Sequence, residues 1–551
     1  MDLTITRTPS AYDYPLLIGS ILAHGVRRAP NQQIVYGFSK RMTYRDLNER
    51  VQRLASALTK LGVKPGDTVA VMDWDSHRYL ECFYAIPMMG AVLHTVNVRL
   101  SPEQILYTIN HAEDDVILLN REFAPIIAEI QDRIENSNTK IVLLDDGDSS
   151  DISAIKLAGE YEELLAAADA GFDFPELDEN TRATTFYTTG TTGLPKGVYF
   201  SHRQLVLHTV AGRNVLSGSG QGKFNEDDVY MPITPMFHVH AWGVPYQATM
   251  MGVKQVYPGR YDPATLLKLF VVEKVTFSHC VPTIIQMVLG AEAAKAVDLK
   301  GWKVIIGGSA LPPSLCRAAL ERGIDIFTGY GMSETCPILT LAQLSPEQAS
   351  ADIDTQVELR CRTGRPVPMV TLRIVDENMK DVPHDGKSQG EVVVRAPWLT
   401  QGYLKDKDNS ETLWHGGWLH TGDIGVMDAD GWLKITDRIK DVIKTGGEWV
   451  SSLDLEGLVL QHPGAAECAV IGVPDAKWGE RPLALVVKKP DAEIDEQSVK
   501  ELVSGYADKG VISKYGVPDR VKFVDALPRT SVGKLDKKTI RATYKDVYKD
   551  I

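Results

Sequence analysis

Short apolar strands alternating with capped amphipathic helices govern the first third of the chain. In "MTYRDLNERVQRLASALTKLGV", Leu47, Val51, Leu54, Leu58 and Leu61 recur near helical spacing. Thr43, with Asp46 three residues on, has the form of a capping box, which satisfies early backbone N–H groups. A "KPGD" turn and the apolar run "TVAVM" follow, and "SPEQILYTINHAE" with "DVILL" repeats the unit. Helices set between short apolar strands predict a largely parallel sheet covered on both faces. Further on, "WKVIIGGSALP" and "IDIFTGYGMSET" each read as a strand followed by a glycine-rich turn. In open α/β sheets, ligands bind outside the carboxyl ends of strands, where such turns collect.

A chain of 551 residues cannot share one core, and about 150 residues per domain suggests roughly three or four units. The texture changes from Arg362 to Asp437, where "VTLRIVD", "GEVVVRA" and "GWLKITDR" are short strands separated by Gly and Asp. This predicts a small antiparallel or barrel unit. After Arg438 a separate α+β unit is expected. The net charge of −13 argues against nucleic acid or an anionic membrane as the main partner, and leaves room for a local basic pocket. Six scattered cysteines without CxxC spacing read as thiols in a reducing compartment, not as a disulfide frame or zinc site. No signal peptide and no run of ~18 apolar residues is found, so no membrane span is expected and the cytoplasm is the default.

The stretch "FYTTGTTGLPKGVYF" (186–200) carries the first chemical signal. Glycines let backbone N–H groups approach a polyphosphate together, Thr hydroxyls add donors, and Lys196 adds a mobile charge. The order is not that of a Walker A loop, because the lysine follows proline and precedes glycine. Taken alone, the stretch fits a plain turn as well as a phosphate cradle.

Four other segments decide between them. "YGMSET" (330–335), "GWLHTGDIG" (417–425), "DRIKDVIKTGGEW" (437–449) and "PRTSVGKL" (528–535) join "YTTGTTGLPKGV" (187–198) in one series. In this order, over essentially the whole chain, they resemble the core motifs of the acyl-adenylate-forming superfamily. That family includes acyl- and aryl-CoA synthetases, firefly luciferase and peptide-synthetase adenylation domains. "PMFHVHAWGVPY" and "GGEWVSS" look closest to bacterial and archaeal fatty acyl-CoA synthetases.

The resemblance implies a large N-terminal domain of layered αβ subdomains plus a small β-barrel over residues 1–437. A hinge at 438–440 and a small mobile α+β lid over 441–551 would follow. It implies an ATP-dependent acid–CoA ligase using ATP, Mg²⁺ and CoA. A carboxylate is first activated as acyl-AMP with release of pyrophosphate, and the acyl group then passes to CoA with release of AMP. Thr188, Thr189, Gly190, Thr191, Thr192, Gly193 and Lys196 would cradle the phosphates, with Thr188 and Glu334 holding Mg²⁺. Gly329, Tyr330, Gly331 and Met332 would form one nucleotide wall and Gly308, Ser309 and Ala310 the other, with Thr335 near the α-phosphate. Asp423 and Arg438 would meet the ribose, Lys440 would sit at the hinge, and Lys534 would bridge carboxylate and α-phosphate. Lys444, Gly446, Gly447 and Trp449 would serve the thioester-forming pose.

His238 would sit beside the acyl carboxylate, as a positioning group, since that carboxylate is already deprotonated at neutral pH. Trp242 would gate an acyl tunnel lined also by Val281 and Gly308. A core histidine and a core tryptophan are the competing readings of His238 and Trp242. The apolar segments 237–246 and 279–288 predict a hydrophobic acid, a medium- or long-chain fatty acid. An aryl-, alicyclic- or methylthioalkanoate-CoA ligase, an adenylation enzyme loading a carrier protein, and a catalytically silent nucleotide-binding relative stay open. Related synthetases are often homodimers, which leaves that state open too.

Overall fold

The computed structural model describes residues 3–188, 194–446, 448–475, 477–529 and 535–547. The local helix signals act as the sequence predicts. Thr43 accepts the Asp46 N–H and Asp46 accepts the Thr43 N–H, opening the helix Tyr44–Lys60 with Leu47, Val51, Leu54 and Leu58 buried. Ser101 and Gln104 do the same for Pro102–Ala112.

Two large sheets carry residues up to 366. The first has seven strands in the spatial order Leu157–Glu160, Lys140–Leu144, Asp114–Asn120, Thr68–Met72, Val92–Thr95, Arg182–Thr188, Lys196–Ser201. Six run parallel, and the last pair is an antiparallel hairpin with Thr188 opposite Lys196. The second has nine strands. Its parallel centre is Asp325–Gly331, Lys303–Ile306, Phe277–Cys280, Val229–Tyr230, Lys254–Tyr257 and Gln33–Tyr36. Both edges are antiparallel, with Ile338–Leu341 and Arg365–Pro366 on one side and Lys40–Thr43 on the other. The short links to Lys40–Thr43 and Ile338–Leu341 cannot make the crossover a parallel neighbour needs.

The β-barrel expected near 362–437 is, among the described residues, a four-stranded antiparallel meander. Its order is Thr371–Val375, Gly390–Arg395, Leu419–Met427, Leu433–Arg438, with the first and last strands at opposite edges. Four strands are too few to close around side chains.

Beyond residue 441 a five-stranded sheet forms around Gly479–Lys488. That strand pairs antiparallel with Ala465–Asp475 and parallel with Arg520–Phe523. The hairpin Ile443–Thr445 and Glu448–Val450 lies at its edge. Ile443, Leu455, Val470, Val486, Val499 and Val521 pack into one apolar cluster, whereas the largest cluster of the chain draws its buried members from Ile18 to Leu433. Among the described residues no helix is long and apolar enough to cross a membrane.

Candidate active site

Strand ends of both large sheets and of the meander converge on two carboxylates. Asp423 lies in the meander strand Leu419–Met427 and is 5% exposed. The Tyr330 hydroxyl donates to its Oδ2 at 2.7 Å, and Arg438 Nε lies 3.2 Å from its Oδ1. Burial beside that carboxylate pushes the Tyr330 phenol far up, so it stays a donor. Glu334, in the short turn Ser333–Thr335, is 7% exposed, and the Tyr403 hydroxyl donates to its Oε1 at 2.8 Å. Burial raises the Glu334 carboxyl, and Tyr403, Arg438 and Lys196 draw it back. Lys196 Nζ stands 4.7 Å from the Tyr403 ring centroid, a cation–π contact. Each carboxylate is thus held by its own tyrosine hydroxyl, and Arg438 acts electrostatically on both.

Gly329, Tyr330 and Gly331 end the strand Asp325–Gly331, and Met332 leads into the turn. Gly308, Ser309 and Ala310 are exposed in the loop after Lys303–Ile306, with Gly308 at φ +78°. Thr335 is fully buried, and its hydroxyl donates to the Pro337 carbonyl and accepts from the Met332 N–H at 3.0 Å, which shapes the turn that carries Glu334. Mg²⁺ takes one or two carboxylates and completes its shell with phosphate oxygens and water. A buried Glu334 carboxylate whose charge burial disfavours fits that role, with the Thr188 hydroxyl at the end of its strand. Thr189, Gly190, Thr191, Thr192, Gly193, Gly447 and Lys534 lie outside the described residues.

The acyl segment holds a backbone feature that no sequence signal announces. Val239, His240, Ala241, Trp242 and Gly243 all have positive φ, from 48° to 71°. They form one left-handed turn, which costs L-residues roughly 1–2 kcal/mol each. Full burial offsets that cost: Val239, His240 and Ala241 are at most 1% exposed. The His240 ring packs edge-on against Phe83 and Phe186. The turn presents Trp242 to the His279 ring at 5.0 Å between centroids. A Cβ on Gly307 would lie 2.9 Å from the Trp242 ring and 3.0 Å from the Gly329 carbonyl oxygen. The absence of a side chain at Gly307 thus lets Trp242 pack close to the strand end at Gly329. His238 is half-buried just before the turn, and half-buried Val281 caps the helix Pro282–Gly290.

Burial holds His240 neutral, with its pKa down to about 3. The unfolded chain binds a proton there below pH ~6.5 and the folded chain does not, so stability is lost as pH falls through that window. The unfolding free energy of the wild type minus that of His240→Phe is expected to drop by about 1 kcal/mol between pH 6.5 and 5.5 in urea titrations. A difference independent of pH is the contrary result.

Lys444 and Trp449 face each other on the hairpin beyond the meander, Nζ 5.3 Å from the ring, with Gly446 at φ +60° in its turn. Among the described residues this hairpin bonds to Glu480 and Trp478, not to Tyr330, Glu334 or Asp423. Lys440 follows Arg438 at the surface. Tyr403, which holds Glu334, escaped the sequence reading, whereas Gly307 lies in the "GGSA" run (307–310) expected to form a nucleotide wall. A "GY" pair in "TQGYLK" was the available signal for Tyr403.

Comparison with known proteins bears on the whole chain. The model for "AMP-binding enzyme" matches residues 22–404, and that for "AMP-binding enzyme C-terminal domain" matches 454–534. A 3-methylmercaptopropionyl-CoA ligase of Ruegeria lacuscaerulensis is 40% identical, over 97% of this chain and 98% of that protein. A long-chain-fatty-acid–CoA ligase of Thermus thermophilus is 40% identical, over 92% of this chain and 91% of its own. The crystal structure of the anthranilate CoA ligase AuaEII with anthranoyl-AMP superposes with a TM-score of 0.84 at 25% identity, covering 97% of this chain and 99% of that one. With its converging carboxylates, cations and glycine-rich strand ends, and matched along nearly its full length, this chain belongs to the AMP-binding enzyme family.

Proposed function

We propose that the protein is a cytoplasmic, ATP-dependent acid–CoA ligase acting on a medium- or long-chain fatty acid. The observation that carries this reading is the pair of buried carboxylates, Asp423 held by Tyr330 and Arg438, and Glu334 held by Tyr403 and drawn by Arg438 and Lys196, with Gly307 close to both Trp242 and Gly329. In the first step a carboxylate oxygen of the acid attacks the α-phosphorus of ATP, and the bond to pyrophosphate breaks. Both partners are anions, so the step needs charge neutralisation and positioning. Lys196 and Lys534 supply charge at the phosphates, and Asp423 with Arg438 orients the ribose hydroxyls. Glu334 and Thr188 would hold Mg²⁺, which would supply positive charge for the leaving pyrophosphate. In the second step the CoA sulfur attacks the acyl carbonyl, and the bond to AMP breaks.

The two steps use one pocket with two sets of partners. We assign residues 1–437 to the acid- and ATP-binding domain, 438–440 to a hinge and 441–551 to a lid. The separate apolar core of the C-terminal part supports this division. Lys444, Gly446, Gly447 and Trp449 then reach the site only after the lid turns. A methylthioalkanoate is the second acid to consider, favoured by the Ruegeria relative.

Acid-dependent ATP–pyrophosphate exchange tests the reading, run from acetate to palmitate with benzoate, cyclohexanecarboxylate and a methylthio acid, then repeated with CoA while following AMP. Exchange with the longer fatty acids plus CoA-dependent AMP release is expected. Exchange without CoA turnover points to a carrier-protein acceptor, and exchange with none of the acids overturns the ligase reading.

A further inference from the structure

Asp75 stands outside every motif of the family-like series, yet it is a buried carboxylate, 2% exposed, that reaches from one large sheet to the other. It follows the strand Thr68–Met72 of the seven-stranded sheet. Its neighbour Asp73 works locally, accepting from Ser76 and Asn120 of the same layer. The Asp75 carboxylate instead accepts the Met236 N–H at 2.7 Å and the Tyr261 hydroxyl at 2.5 Å. Both donors belong to connections of the nine-stranded sheet. The Asp75 carbonyl accepts the Gly259 N–H at 2.9 Å as well. One residue on from Met236, the Thr95 hydroxyl donates to the Phe237 carbonyl at 3.0 Å.

The bonds to Gly259 and Tyr261 tie Asp75 to the connection after the strand Lys254–Tyr257, and those to Met236 and Phe237 land on the segment that enters the left-handed turn. The strand before it, Val229–Tyr230, is two residues long, so the sheet ladder gives the segment little support of its own. Asp75 and Thr95 supply that support from across the sheet–sheet junction. A counter-charge is near: the Arg99 guanidinium lies 5.9–6.0 Å from the ring centroids of Trp74, Phe237 and Tyr261, and it favours the Asp75 carboxylate. Burial nevertheless pushes the Asp75 carboxyl up to about 7. A buried carboxylate is expensive, and an apolar side chain would join the two sheets at less cost. What an apolar side chain cannot do is accept the Met236 N–H.

We propose that Asp75 is a positioning residue for the acid: it fixes the entry to the turn 239–243 and so sets where His238 and Trp242 stand. This rests on the ligase reading for its kinetic consequence, but not for its structural one. Among the described residues, Asp75 makes no hydrogen bond to Tyr330, Glu334, Asp423 or Arg438, so its effect is expected to pass through the loop.

The test compares Asp75→Ala with Asp75→Asn in the full chain, by kinetics and by amide hydrogen exchange. Alanine is expected to raise the KM for the acid about tenfold or more while the KM for ATP moves less than about twofold. Asparagine keeps a carbonyl for the Met236 N–H, and is expected to restore the acid KM to within about threefold of wild type. Amides of 236–243 are expected to exchange about tenfold faster in Asp75→Ala, with those of the helix Tyr44–Lys60 unchanged. Unaltered protection at 236–243 overturns the proposal, whether or not the chain activates any acid. Equal rises in both KM values with protection lost everywhere also overturn it, making Asp75 an ordinary structural residue. Failure of wild type to exchange pyrophosphate with any acid removes the ligase reading alone, and the amide measurement then decides on Asp75.

Discussion

Gly331→Ala is expected to remove ATP binding while leaving most of the chain folded. Gly331 pairs with Ile338 where the strand register shifts between Tyr330 and Gly331. A Cβ there would lie 1.7 Å from the Pro337 carbonyl oxygen and 2.5 Å from its carbon. Both are backbone atoms held in the same hairpin, so no side chain can move aside. The hairpin must open, and it carries Tyr330 on one arm and Glu334 in its turn. Their hydrogen bonds to Asp423 and from Tyr403 cannot both survive that opening. Overpacking in a core costs about 1–3 kcal/mol and more where backbone is struck, so a loss of ATP affinity of about a hundredfold or greater is expected. Calorimetric titration with ATP and far-UV circular dichroism check it together. Gly218→Ala is the control, since a Cβ there meets nothing within 4 Å. Wild-type ATP affinity in Gly331→Ala would show that the hairpin does not shape the nucleotide site.

Lys534→Ala divides the two half-reactions. If Lys534 supplies charge only while carboxylate and α-phosphate meet, its loss should depress acyl-AMP formation about a thousandfold. Removal of a single charge-stabilising donor typically costs about a hundred- to a thousandfold. Thioester formation from supplied acyl-AMP and CoA should fall no more than about threefold, because Lys444, Gly446, Gly447 and Trp449, and not Lys534, are proposed to serve that step. Pyrophosphate exchange measures the first half-reaction, and release of AMP from acyl-AMP measures the second. Equal loss in both would mean that Lys534 holds the fold or the nucleotide, not the adenylation transition state.

Features written in neighbouring residues are legible in the sequence itself. The capping boxes Thr43/Asp46 and Ser101/Gln104 need only three-residue spacing, and both form. The glycine-rich turns after Lys303–Ile306 and Asp325–Gly331 are visible because a strand and its turn are contiguous. Closure of the small β unit is not legible, since it depends on how many strands pair and not on the look of any one. Long-range holders are hidden for a related reason. Tyr403 meets Glu334 across 69 residues and Asp75 meets Met236 across 161, and no local pattern pairs either with its partner. The hydroxyl bonds of Thr335 to its own turn are not legible in "YGMSET" either, because they depend on how the turn folds back on Pro337 and Met332. The run "VHAW" has ordinary composition, and only the glycine after it hints at reversed handedness.

That reversed handedness limits how the acid range of such an enzyme can change. Four successive non-glycine residues held at positive φ leave only glycine, and to a lesser degree asparagine or aspartate, as inexpensive replacements. Glycine would empty packed space, and asparagine or aspartate would bury an unpaired polar group there. Selection for a new acid therefore meets one proposed wall that is almost immutable and another that is not. The second proposed lining segment, the right-handed helix Pro282–Gly290, can exchange side chains without touching its backbone. Natural drift and laboratory libraries alike should find their new specificities there.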